Sequence, residues 1–215
     1  MGKARNRVIN ILTKHYLLTS TLLFQLLLLL LIIIFPTFIE SLDLFLSNNS
    51  SVGTGVLQSI AKPAEKIGNL PVFILTISLI LTYHALRYRS LILIYTGVIS
   101  SSLLVFSVYL LKILTARLGP ANSSGEFWEN SLNNQPGVFP SGHTALVTLV
   151  ALLLFYALGE EIKYRWFIYA LIVSYESTSL WYLSDHWVTD IIFGFALANF
   201  IGILTHSSIA SLVKK

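Results

Sequence analysis

The sequence has no cysteine, a single methionine and little charge, with Asp, Glu, Lys and Arg making up 11% of 215 residues. Without cysteine, neither a disulfide framework nor a thiolate metal site can form. Soluble domains carry about 25% charged residues, so the shortage of charge excludes a water-soluble globule. Neither a heptad nor a Gly-X-Y period runs through the chain, which excludes coiled coil and collagen, and the apolar content excludes disorder. The net charge of +4 is small and its cations form no stripe, so no nucleic-acid partner is expected.

What is present is apolar: 55% of the residues are hydrophobic and the mean hydropathy is +0.75. A membrane span takes about 20 such residues, and six stretches qualify: 16–39, 67–86, 90–111, a slightly short 143–159, 166–184 and 191–213. The first is too long for a signal peptide and no small-residue cleavage site follows it, so it is expected to stay as an anchor. The expected fold is all-α, a polytopic membrane protein with six transmembrane helices in one bundle. One domain, 1–215, with no internal repeat, is expected.

Lysine and arginine set the orientation. With six spans, one side holds Lys3, Arg5, Arg7, Lys14, Arg87, Arg89, Lys163, Arg165, Lys214 and Lys215, ten of the 14 cations. The other side holds four, Lys62, Lys66, Lys112 and Arg117. Both termini are therefore expected in the cytoplasm, in an inner or plasma membrane. The outer, periplasmic side then carries loops 40–66, 112–142 and 185–190, the first two long and expected to be partly helical.

The residues with chemistry gather on that outer side. Pro140-Ser141-Gly142-His143 opens the fourth span. Proline suits a first helical turn and serine a cap. Glycine allows close backbone approach, and the unpaired N–H groups of a helix start attract anions. A helix start that merely includes a histidine accounts for this tetrapeptide equally well. His186 and Asp190 lie four residues apart at the start of the sixth span, where a carboxylate on one ring nitrogen leaves the other as base or nucleophile. The alternative is a membrane-interface pair beside Trp187. Lys112 and Arg117 supply cations at the same depth, or simply snorkel. Glu176, near mid-membrane, is expected to be a protonated or hydrogen-bonded structural carboxylate. Asp185 either adjusts His186 or ends a loop in solvent. Trp128, Trp181 and Trp187 fit an interfacial belt.

Taken in order, these segments resemble the three motifs of the type-2 phosphatidic acid phosphatase superfamily of membrane lipid phosphatases, K-x6-R-P, P-S-G-H and S-R-x5-H-x3-D. The first corresponds to Lys112 through Pro120, the second is complete at Pro140 to His143, and the third corresponds to Ser179 through Asp190. The resemblance covers about residues 70–205. Two arginines that clamp phosphate in that family fall on Gly119 and Leu180, while Arg117 stands where many members carry an additional arginine.

The resemblance implies hydrolysis of a phosphate ester or diphosphate through a phosphohistidine. In that scheme His186 attacks phosphorus, Asp190 orients it and His143 protonates the leaving group. Lys112, Arg117, the backbone of Ser141 and Gly142, and Ser179 hold the phosphate oxygens. No metal and no other cofactor is required. The implied substrate is a membrane lipid phosphate or pyrophosphate: phosphatidate, phosphatidylglycerophosphate, undecaprenyl pyrophosphate or the lipid A class. Two alternatives come from other classes, a silent relative that binds phospholipids, suggested by the missing arginines, and a lipid phosphotransferase. The oligomeric state is not legible in the sequence.

Overall fold

A computed structural model describes residues 23, 26–27, 30–32, 34–48, 55–120, 137–159 and 162–213. Every regular element among them is helical. Helix α1 is Pro36–Asn48, α2 Val56–Ile67, α3 Leu70–Tyr88, α4 Ile92–Thr115, α5 Gly142–Leu158, α6 Arg165–Tyr182 and α7 Val188–Val213. The described positions between 23 and 34 are helical as well, but half of the first expected span, with Trp128 and much of loop 112–142, lies outside the described residues.

Local sequence sets the helix ends. Asn69 is extended (φ −72°, ψ 144°) and Pro71 occupies the first turn of α3, where a missing N–H costs nothing. Arg89 (φ 49°) and Ala116 (φ 43°) close α3 and α4 in the left-handed conformation, their N–H groups bonding Ala85 O and Lys112 O. Ser141 caps α5 by accepting the Thr144 N–H at 3.2 Å, and Gly159 (φ 68°) ends it.

α5 is the central helix, packed by α3, α4, α6 and α7. Its buried Ala145, Leu149 and Leu153 meet Leu104, Phe193 and Ala198 in the main core. The outer faces of α3, α4 and α6 instead display large apolar side chains. Leu86 is 79% exposed, Phe106 65% and Phe167 67%. Such continuous apolar exposure is what lipid, not water, covers. The protein is a membrane protein of all-helical fold.

Among the described residues, three helices, α3, α4 and α7, are long and apolar enough to cross a membrane by length and composition. Six spans are expected from the sequence; of the other three, 16–39 is described only in part, and α5 and α6 have features of their own. α5 is held to 17 residues between the Ser141 cap and Gly159. α6 carries Arg165 at its start and a run of hydroxyls around Glu176. The expected outer loop 40–66 is mostly helix, being the end of α1 and all but the last residue of α2.

Candidate active site

The site is built where α4 ends, α5 begins and α7 begins. Ala116 turns the chain out of α4, and Gly137 and Val138 return to clasp that turn. The Gly137 N–H bonds Lys112 O (2.9 Å) and the Val138 N–H bonds Arg117 O (2.7 Å). Only glycine fits at 137, because a Cβ there would stand 2.4 Å from the Arg117 backbone nitrogen. Thr115 Oγ1 ties the same turn to Phe139 O, so Pro140 and Ser141 are delivered directly to the start of α5. The Ser141 N–H bonds Asp190 O at 3.0 Å, joining the starts of α5 and α7.

These joints frame an open cavity of about 820 Å³. Lys112, Gly142, His143, Asp185 and His186 line it, and α2 with the turn after it adds Glu65, Lys66, Gly68 and Asn69. Leu70, Val138 and Leu146 form its apolar wall. The two histidine rings lie with centroids 6.2 Å apart, inclined at 58° to each other. His143 Nε2 donates to Asn69 Oδ1 at 3.2 Å, and its ring also hydrogen-bonds the Glu65 backbone. Lys112 Nζ donates to Gly137 O (2.9 Å) and Val138 O (3.0 Å). An ammonium has three N–H donors, so one remains for a ligand.

Behind His186 lies a buried polar network. His186 Nδ1 is 3.5 Å from Asp190 Oδ2, within ion-pair reach but without a hydrogen bond among the described residues. The Trp187 N–H donates to the same oxygen at 3.2 Å. Arg117 is fully buried; its guanidinium donates to Asp190 Oδ1 (2.9 Å), Thr189 Oγ1 (2.9 Å) and Asp43 Oδ2 (2.7 Å). Asp43, from α1, also accepts the Thr189 N–H at 3.1 Å and the Thr189 hydroxyl. Burial pushes the Asp43 carboxyl up, whereas Arg117 and the Thr189 bonds pull it down. With three donors converging on it, the geometry is that of an acceptor-only carboxylate.

The structure therefore brings together His143, His186, Asp190, Lys112 and Gly142, and corrects the expected place of three other residues. Arg117 is not at the cavity, because two buried carboxylates hold its guanidinium. Ser141 is fully buried; its hydroxyl caps α5 as expected, but its N–H is given to Asp190 O and not to the cavity. Ser179 is buried in α6 and does not line the cavity. Trp187 is no belt residue: it is buried, donates Nε1–H to Leu118 O at 2.9 Å and lies 5.2 Å beneath the Arg117 guanidinium. Glu176 is buried with neither oxygen hydrogen-bonded among the described residues. Asp185 lines the cavity and hydrogen-bonds Glu65. Burial pushes the Asp185 carboxyl up, the Glu65 charge and hydrogen bond add to that, and His186 opposes it.

The family profile of the PAP2 superfamily matches residues 90–213, more than half of the chain and all three motif segments. The chain belongs to the PAP2 superfamily. Its fold is similar to the crystal structure of the first transmembrane PAP2 type phosphatidylglycerolphosphate phosphatase from Bacillus subtilis. The identity is 20% and the TM-score 0.67, over 92% of this chain and 96% of that chain. No curated protein matches the chain. PAP2 membership in a membrane-helical fold supports a lipid phosphatase.

Sequence reasoning missed Asp43, Thr189, Lys66 and Asn69. Asp43 carried a signal: a carboxylate within an apolar stretch beside a span is costly unless paired. Lys66 and Asn69 carried none, since only the packing of α2 brings them to the cavity.

Proposed function

We propose that this protein hydrolyses a lipid phosphate or diphosphate through a phosphohistidine, at the outer face of the inner or plasma membrane. The observation that carries the reading is the pair of histidines, 6.2 Å apart across a lysine-lined cavity, with Asp190 behind one of them. With Nδ1 turned to Asp190, the Nε2 lone pair of His186 attacks phosphorus. The P–O bond to the leaving group breaks as His143 gives its proton to that oxygen. His143 then takes a proton from water, whose oxygen displaces His186 and releases inorganic phosphate. Phosphoryl transfer needs mainly positioning and charge stabilisation. The remaining Lys112 proton, the Gly142 N–H at the α5 start and the Lys66 ammonium are assigned to the phosphate oxygens.

Leu70, Val138 and Leu146 give the cavity an apolar side suited to a lipid tail. The candidate substrates are phosphatidate, phosphatidylglycerophosphate (the class named for the Bacillus subtilis structure), undecaprenyl pyrophosphate and lipid A phosphates. With six spans in a single 1–215 domain, the ten-to-four split of cations supports the outer face and cytoplasmic termini.

A second reading is a silent phospholipid-binding relative. Gly119 and Leu180 replace the family arginines, and Arg117 is buried in ion pairs. Transfer to an acceptor other than water is the third. Phosphate release from the four lipid classes in detergent separates them. The proposed enzyme releases phosphate, works in EDTA because its assigned groups are imidazoles, ammonium ions and backbone, and is blocked by vanadate. Binding without release favours the silent relative, and labelled phosphate recovered on an added alcohol favours the transferase.

A further inference from the structure

Asp43 lies outside the residues matched by the family profile, 90–213, yet it closes the hydrogen-bond network that ends at Asp190, whose Oδ2 lies 3.5 Å from His186 Nδ1. Its Oδ1 accepts the Thr189 N–H, an orphan donor in the first turn of α7. Its Oδ2 accepts from the Thr189 hydroxyl and from Arg117. Arg117 in turn reaches Asp190 Oδ1, which leaves Asp190 Oδ2 turned toward the Trp187 N–H and His186 Nδ1. Asp43, Arg117 and Asp190 are each fully buried. A guanidinium fork fixed at both ends by carboxylates has a single orientation, so the carboxylate behind His186 has one as well.

We propose that Asp43 is a positioning residue for the histidine nucleophile: by holding Arg117 and the first turn of α7, it fixes the Asp190 carboxylate against His186 Nδ1. The family's motif segments are thus completed by a carboxylate from α1. The catalytic part of the inference rests on the phosphatase reading above, and the structural part does not.

The test uses the full chain in detergent. Asp43→Asn removes the charge with little change in shape. Phosphate release should show kcat lower by about tenfold to a hundredfold, the effect of a misplaced reacting group, with KM within about twofold because Asp43 touches no substrate. In an Asp190→Asn background the same change should alter kcat by less than about twofold, since coupled residues are not additive. Thr189→Val cuts the hydroxyl link without removing a charge, and should give a smaller loss of kcat if Asp43→Asn does not fold.

A second arm needs no turnover: acylation of His186 by diethylpyrocarbonate, read by peptide mass spectrometry with His143 as internal reference. His186 should react more slowly relative to His143 in Asp43→Asn, because its tautomer is no longer fixed. Unchanged kcat with an unchanged His186/His143 ratio overturns the proposal, and so do full effects in the Asp190→Asn background. Wild-type protein inert on every lipid phosphate overturns the phosphatase reading instead, and the acylation ratio then decides the role of Asp43.

Discussion

Gly68 is the sharpest probe of the proposed acid. It follows α2, and an added Cβ would stand 2.4 Å from His143 Cδ2, 2.7 Å from Cβ and 2.8 Å from Cγ. Carbon atoms rest about 3.5–4.0 Å apart, so Gly68→Ala must open this contact by about 1 Å. Turning the ring does not suffice, because His143 Cβ is fixed to the α5 backbone and is itself too close. Either the ring leaves Asn69 Oδ1 or α2 lifts from the cavity. Misplacing a catalytic group by about 1 Å costs about a hundredfold in rate, equal to about 2.7 kcal/mol of barrier. The assay is kcat for phosphate release in detergent, with the melting temperature measured alongside. The expected result is a fall in kcat near a hundredfold with the protein still folded. A folded Gly68→Ala enzyme with kcat within about twofold of wild type would refute the placement of His143 as the leaving-group acid.

Three further outcomes follow from the same geometry. Lys66→Ala should raise KM several-fold and Lys66→Arg should restore it, because Lys66 and Lys112 are the lysines lining the cavity; an unchanged KM removes Lys66 from the site. Arg117→Ala strands the buried Asp43 and Asp190 carboxylates and should cost about 3–5 kcal/mol of stability, read as a lower melting temperature; wild-type stability with activity lost would return Arg117 to the phosphate. The Asp185 carboxyl is raised by burial and by Glu65, so the folded state holds its proton more tightly than the unfolded chain does. The resulting cost is absent below the ordinary value of 3.8 and complete once pH exceeds the raised one. Asp185→Asn should therefore weaken the fall of melting temperature with rising pH across that window, and an unchanged pH dependence would contradict it.

The fold and the site differ in how far they are legible from residues alone. Hydropathy finds the helices, because lipid imposes its thickness on every span. Motif order finds His143, His186, Asp190 and Lys112, because the chemistry demands those types at helix ends. Arg117 misleads for a physical reason. A cation beside a phosphate motif reads as a clamp, and only packing reveals that Asp43, 74 residues away, competes for it. For Ser141 the cap is legible in the sequence, whereas the Asp190 O that takes its N–H is visible only in the packing. The contributions of α2 depend on how an amphipathic helix lies over the bundle, which no local pattern encodes.

The central claim is a covalent phosphohistidine, and acid-free quenching followed by peptide mass spectrometry tests it most directly. Purified protein mixed with an intact lipid phosphate that it hydrolyses and quenched within one turnover should carry phosphate on His186, longer-lived in His143→Ala with a diphosphate substrate and absent in His186→Ala. Undiminished phosphate release by His186→Ala, with no phosphate on any histidine of the wild type, would contradict the account.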